Sequence, residues 1–258
     1  MKTEWIGKLR TARLLRTSRY ARQLAALPPG LEAYWRRSAP QEYKGIPTDA
    51  FFFARAAEGL MTFFDAVRRG GQACALPSDA ADSVWHAWLR WNPAGLDTFC
   101  TGHFGQPIPH IERGGLGSGA LLRTLATCRK LDGVRRHKQH LPALFRLDRQ
   151  LRMPQGHGYR VHDGEIAYAR LDREGYGIGA PVGHPELTLA ALYVAGVVDR
   201  SLLEDQQRRG QKTDGGDSGS SGDCGSFASA DGGDCSDSSG GCDGGSSCGG
   251  GCGGGGGD

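Results

Sequence analysis

The chain has 258 residues, 38% of them hydrophobic, and 31 Lys and Arg against 28 Asp and Glu give a formal net charge of +3. No stretch approaches the roughly 20 consecutive apolar residues of a membrane span, and arginines interrupt the opening "MKTEWIGKLRTARLLRTSRYARQLAAL" too often for the apolar core of a secretory signal. The expected compartment is therefore the reducing cytoplasm, where the eight cysteines are thiols rather than disulfides.

Residues 4–26 read as a basic helix closed by Leu27-Pro28-Pro29-Gly30. Trp5, Leu9, Ala12, Tyr20 and Leu24 fall broadly on one face, which Arg13 and Arg16 interrupt. A packing helix is expected. Its charge also leaves an anionic membrane surface or nucleic acid open as partners.

The next helix is the clearest, over "DAFFFARAAEGLMTFFDAVRRGG": Asp49 caps it, Phe52, Ala56, Leu60, Phe63 and Val67 recur at helical spacing, and Gly70-Gly71 ends it. A third helix follows Pro77, with Ser78 as N-cap and Asp79 and Asp82 in the first turn, where the helix dipole favours them. It runs to Asn92, and Pro93 starts a fourth helix carrying Leu96, Phe99, Cys100 and His103 before Gly105 and Pro107 break it.

"GGLGSGALL", residues 114–122, lacks the lysine of a nucleotide-binding loop and reads as a connector. "GALLRTLATCRKLDG" and "HLPALFRLDRQL" then form two more helices around a basic connection. Residues 158–171 alternate about His162-Asp163-Gly164, which predicts one β-hairpin. "PELTLAALYVAGVVDRSLLEDQQRR" returns to helix.

After Gly210 the composition changes. Residues 211–258 are almost entirely Gly, Ser, Asp and Cys, with Phe227 the single aromatic and five cysteines at 224, 235, 242, 248 and 252. So little apolar surface does not offset the cost of ordering the chain. The fold class expected is mainly α: a helical domain at 1–210 with one β-hairpin, net +10, then a disordered Gly/Ser/Cys/Asp-rich tail at 211–258, net −7. The tail reads as a solubilising extension, as a soft-metal binder, or as the modified part of a precursor.

The chemistry-bearing residues concentrate in "VWHAWLRWNPAGLDTFCTGHFGQPIPHIE". Cys100 and His103, three apart, are expected on one helix face, with His86 on the neighbouring helix and His110 in the loop that follows. Together His86, Cys100, His103 and His110 form a set that suits Zn²⁺. Two other readings remain open. His86 and His110 could be buried, hydrogen-bonded side chains beside a small apolar Cys100, or Cys100 could be a nucleophile paired with histidine and oriented by Asp97.

"VWHAWLRWNPAGLDTFCTGHFG", continued by "PIPHIE" and more loosely by "ALLRTLATCR" and "LPALFRLDRQLRMPQGHGY", resembles plant glycine-rich domain-containing proteins and their bacterial relatives. The likeness spans roughly residues 75–160, and Trp85, His86, Cys100, Gly105 and His110 are its most specific matches. The plant pattern has a second histidine where this chain has Trp88, which alters any site that histidine serves. The resemblance implies a fold and transfers no activity. The expectation is a helical binding or scaffold module whose His/Cys set is structural and able to hold zinc. A metal- or cysteine-dependent enzyme using the same residues, and a modified precursor, are the alternatives.

Overall fold

The structure, a computed structural model, describes residues 2–213 apart from 112–114, 135–139 and 163. The tail beyond residue 213, with the disorder expected of it, lies outside the described residues.

Ten helices and a three-stranded sheet follow in chain order among the described residues: α1 (Lys2–Thr17), α2 (Ala21–Ala25), α3 (Pro29–Glu42), α4 (Ala50–Gly70), α5 (Asp79–Trp91), α6 (Pro93–Phe104), α7 (Ala120–Leu131), α8 (Leu147–Leu151), β1 (His157–His162), β2 (Glu165–Leu171), β3 (Gly177–Gly183), α9 (Leu189–Val194) and α10 (Arg200–Thr213). None of these helices is long and apolar enough to cross a membrane. The mainly α class with a hairpin holds. The caps at α4, α5 and α6 also hold, because each supplies an acceptor to otherwise orphaned helix N–H groups. Asp49 accepts from Phe51 and Phe52, Ser78 from Ala81, and Asn92 from Gly95.

Three features differ from the sequence reading. The basic N-terminal helix is broken at Ser18, whose hydroxyl accepts from the Tyr20 N–H. Tyr20 and Leu24 consequently turn into the core, while Trp5 and Leu9 stay exposed on α1. Secondly, α3 was missed because Pro40 lies inside it, yet Leu31, Trp35 and Ala39 form a fully buried stripe at four-residue spacing. Thirdly, the hairpin gains β3. The sheet is antiparallel in the order β1-β2-β3, and β3, "GIGAPVG", is mostly exposed and has no alternating apolar face to announce it.

Two hydrophobic clusters hold the domain. One gathers Trp35, Phe52, Phe63, Phe64, Trp85 and Trp88 between α3, α4 and α5. The other joins Leu121 and Leu125 of α7 to Phe145, Tyr159 and Ile166 near the sheet. The close approach of α8 to α4 depends on Gly59, where a Cβ would lie 2.3 Å from Leu147 Cδ2.

Asp148 on α8 sits where the clusters meet. Its carboxylate, 1% exposed, accepts from Ser78 Oγ at 2.6 Å, from the N–H groups of Asp79 and Ala80 at 3.0 Å, and from the His157 N–H at 2.8 Å. One side chain thus caps α5, starts β1 and anchors both to α8. Replacing it strands several buried donors, each at a cost of about 1–3 kcal/mol. Asp148→Ala is expected to lose roughly 3 kcal/mol or more in urea unfolding. Asp148→Asn should restore only part of that, because its amide N–H groups face two donors. A loss below about 1 kcal/mol for Asp148→Ala would show that the junction is held elsewhere.

Candidate metal centre

α5 turns its apolar face to the core, burying Val84, Trp85 and Trp88, and leaves Asp82 and His86 half-buried one turn apart. His110 arrives from the segment after α6: Gly105 closes that helix at φ 84°, and Ile108, 3% exposed, pins the loop to the core. His110 then rests edge-on against Trp85, with ring centroids 4.5 Å apart.

The three side chains converge on one point. His86 Nε2 and His110 Nε2 are 3.0 Å apart, His110 Nε2 is 3.3 Å from Asp82 Oδ1, and His86 Nε2 is 3.6 Å from Asp82 Oδ2. Tetrahedral ligands at ~2.0–2.1 Å from a zinc ion stand about 3.3 Å from one another. The two imidazole nitrogens stand at about that spacing from each other and each from one of the two Asp82 oxygens, and one ligand atom from each residue lies within 4.8 Å of the others, so the group is compact enough to meet on one divalent ion.

A second layer orients these groups. Glu42, the last residue of α3, holds His86 Nδ1 at 2.5 Å, and Arg90 Nη2 holds the other Glu42 oxygen at 2.6 Å. A neutral His86 that donates Nδ1–H to Glu42 presents its lone pair at Nε2, toward His110 and Asp82. This is the carboxylate–histidine arrangement that prepares a metal ligand. Tyr43 Oη donates to Asp82 Oδ2 at 3.2 Å; burial first, then the Asp82 charge, push the phenol well above its ordinary pKa and keep it a donor.

Of the four ligands expected from the sequence, the structure brings together His86 and His110. Cys100 and His103 stand outside the set, whose third member is Asp82. Three residues of helix amount to about 300° of rotation, and the core boundary falls between these two positions. Cys100 is 1% exposed among apolar side chains, its sulfur against the Ile108 backbone, whereas His103 faces solvent with its ring on Phe99 at 4.5 Å. Burial pushes the Cys100 thiol up to about 12, so at neutral pH it is not an activated nucleophile.

Sequence reasoning missed Asp82, Glu42 and Tyr43. Asp82 and His86 at four-residue spacing were the available signal. His157 is 3% exposed, with Nδ1 3.2 Å from Asp79 Oδ1, beside the Asp148 junction. The Gly-rich connector leads into α7, where Glu186 Oε2 accepts from the Leu121 N–H at 2.9 Å, so a carboxylate of the chain itself already serves this helix start.

Asp82, Trp85, His86 and His110 all line an open cleft of about 560 Å³, within the range of small-molecule sites. Neither Cys100 nor His103 lines it.

The profile of the UCP032817-like family matches residues 47–175, half of the chain. The chain belongs to that family. The matched segment contains Asp82, His86, His110 and Asp148, while Glu42 and Tyr43 precede it. Searches of curated proteins and of solved structures found no match.

The burial of Cys100 carries a direct check. In the native chain at pH 8, iodoacetamide should leave Cys100 and Cys128 unmodified by peptide mapping until urea is added. Alkylation of Cys100 without urea, at the rate of a free cysteine peptide, would contradict its placement.

Proposed function

We propose that the chain is a metal-dependent enzyme whose mononuclear divalent centre is built on Asp82, His86 and His110. The observation that carries this reading is the cluster of Asp82, His86 and His110, whose ligand atoms all lie within 4.8 Å of one another at the wall of an open cleft. Three protein ligands with a position left for water or substrate are the pattern of catalytic rather than structural zinc. In such a site the ion polarises a bound oxygen or lowers the pKa of a bound water. Two imidazoles and one carboxylate also suit Fe²⁺, so the metal is zinc or iron by ligand chemistry.

The same reading places the protein in the cytoplasm, in keeping with the absence of a membrane-crossing helix among the described residues. It treats the likeness to glycine-rich domain-containing proteins as kinship of fold. A structural reading is favoured by one observation. Glu42, His86, His110, Asp82 and Tyr43 form a continuous hydrogen-bonded chain that ties α3, α5 and the segment after α6 together without a metal.

Zinc titration separates the two readings, using the full chain with its five tail cysteines changed to serine so that they take up no metal. One equivalent should bind. His86→Ala, His110→Ala and Asp82→Asn should each weaken binding more than tenfold, and Glu42→Gln about 10- to 100-fold. Cys100→Ala and His103→Ala should leave it unchanged. Zinc uptake that survives both histidine variants would overturn the proposal. Lowered melting temperatures with no metal bound to the parent chain would leave only the structural role.

A further inference from the structure

The walls of the cleft specify what accompanies the metal. Phe63, Val67, Leu76, Trp85, Ile108 and Leu116 give it an apolar interior, and Asp82, His86 and His110 stand together in its lining. Its charge can be counted. Glu42 is matched by Arg90 at 2.6 Å. Arg68, which also lines the cleft, is engaged by Asp65 at 2.8 Å, and Asp65 is shared with Arg69 at 3.1 Å, so that corner is itself net positive and favours an anion. The two histidines are neutral when they act as ligands. A divalent ion on Asp82 therefore leaves one uncompensated positive charge at the metal position, against an apolar wall, where an unmatched charge is costly.

Resting on the metal reading, we infer that the cleft takes a small apolar monoanion. An aliphatic or aromatic monocarboxylate would place its carboxylate on the open metal position and its hydrocarbon body against Phe63, Val67, Leu76 and Leu116. The anion neutralises the site, and each methylene that leaves water adds about 0.8 kcal/mol, roughly a fourfold gain in affinity. A second negative charge would make the metal position itself net negative, and a neutral alcohol would leave the metal's charge uncompensated. The ligand is read at one end by charge and at the other by burial.

Calorimetry on the zinc-loaded full chain, tail cysteines changed to serine, tests this with acetate, butanoate, hexanoate and octanoate. Affinity should rise about fifteenfold for each two methylenes across the series, following the burial gain per methylene. 1-Octanol should bind at least tenfold more weakly than octanoate. The zinc-free chain should lose octanoate binding by a similar factor. Leu116→Asp, at a half-buried cleft position away from the ligand atoms, should weaken octanoate more than tenfold while zinc uptake stays unchanged.

Octanoate binding no tighter than acetate would overturn the apolar part of the inference. Octanol binding as well as octanoate, or octanoate binding equally with and without zinc, would overturn the ionic part. Both results leave the zinc titration intact, so failure of this inference and failure of the metal centre are separately visible. A chain that takes up no zinc brings down both.

Discussion

The buried carboxylate of Asp148 is the constraint on which the arrangement depends. Four donors from two separate parts of the chain, residues 78–80 and residue 157, meet on its two oxygens, and each would lose its partner without it. Complete burial and the nearby Asp79 charge push this carboxyl above the usual carboxylate range, against the pull of the donors. The group is held because nothing else is placed to satisfy those donors. Its consequence for function is positional. By fixing the first turn of α5, it fixes the rotation of that helix, and with it the side on which Asp82 and His86 emerge.

α5 divides its labour along its circumference. Trp85 and Trp88 belong to the aromatic core and resist any rotation or slide of the helix, since moving either would open a cavity. His86, adjacent to Trp85 in sequence, is carried by about 100° of helical turn to the border of that core, where a quarter of its side chain remains exposed. Ligands on a packed helix and on a loop pinned by Ile108 need little reorganisation to meet an ion. Glu42 and Tyr43 come from the end of α3, a helix anchored by Trp35, whose indole N–H donates to Ser83 Oγ of α5 at 3.0 Å. The orienting layer and the ligand helix are thus bonded to each other through the core.

Much of the fold was legible in the sequence because its helices carry their own punctuation. Asp49, Ser78 and Asn92 are caps with acceptors at the right offset, and Gly71 and Gly105 end helices with positive φ. α3 escaped because a proline in its last turn masked the Leu31–Trp35–Ala39 stripe, and β3 because a glycine-rich edge strand has no apolar period. The site was half legible. His86 and His110 were visible as chemistry-bearing residues near each other in sequence. Asp82 was hidden by a sufficient local explanation, the helix dipole, and Cys100 drew attention as a ligand type although its position faces the core. Residue spacing on one helix does not reveal where the core boundary cuts its circumference. That boundary is a property of the neighbouring helices, and here it separates Cys100 from His103.

The central claim is that two imidazoles and a carboxylate hold the metal, with no sulfur. The most direct measurement is the X-ray absorption spectrum at the zinc edge of the stoichiometrically loaded chain, its five tail cysteines changed to serine. The account predicts a first shell of nitrogen and oxygen alone at about 2.0–2.1 Å, with the outer scattering of two histidine rings. A sulfur shell at about 2.3 Å would place a cysteine of residues 1–210 on the metal and contradict it.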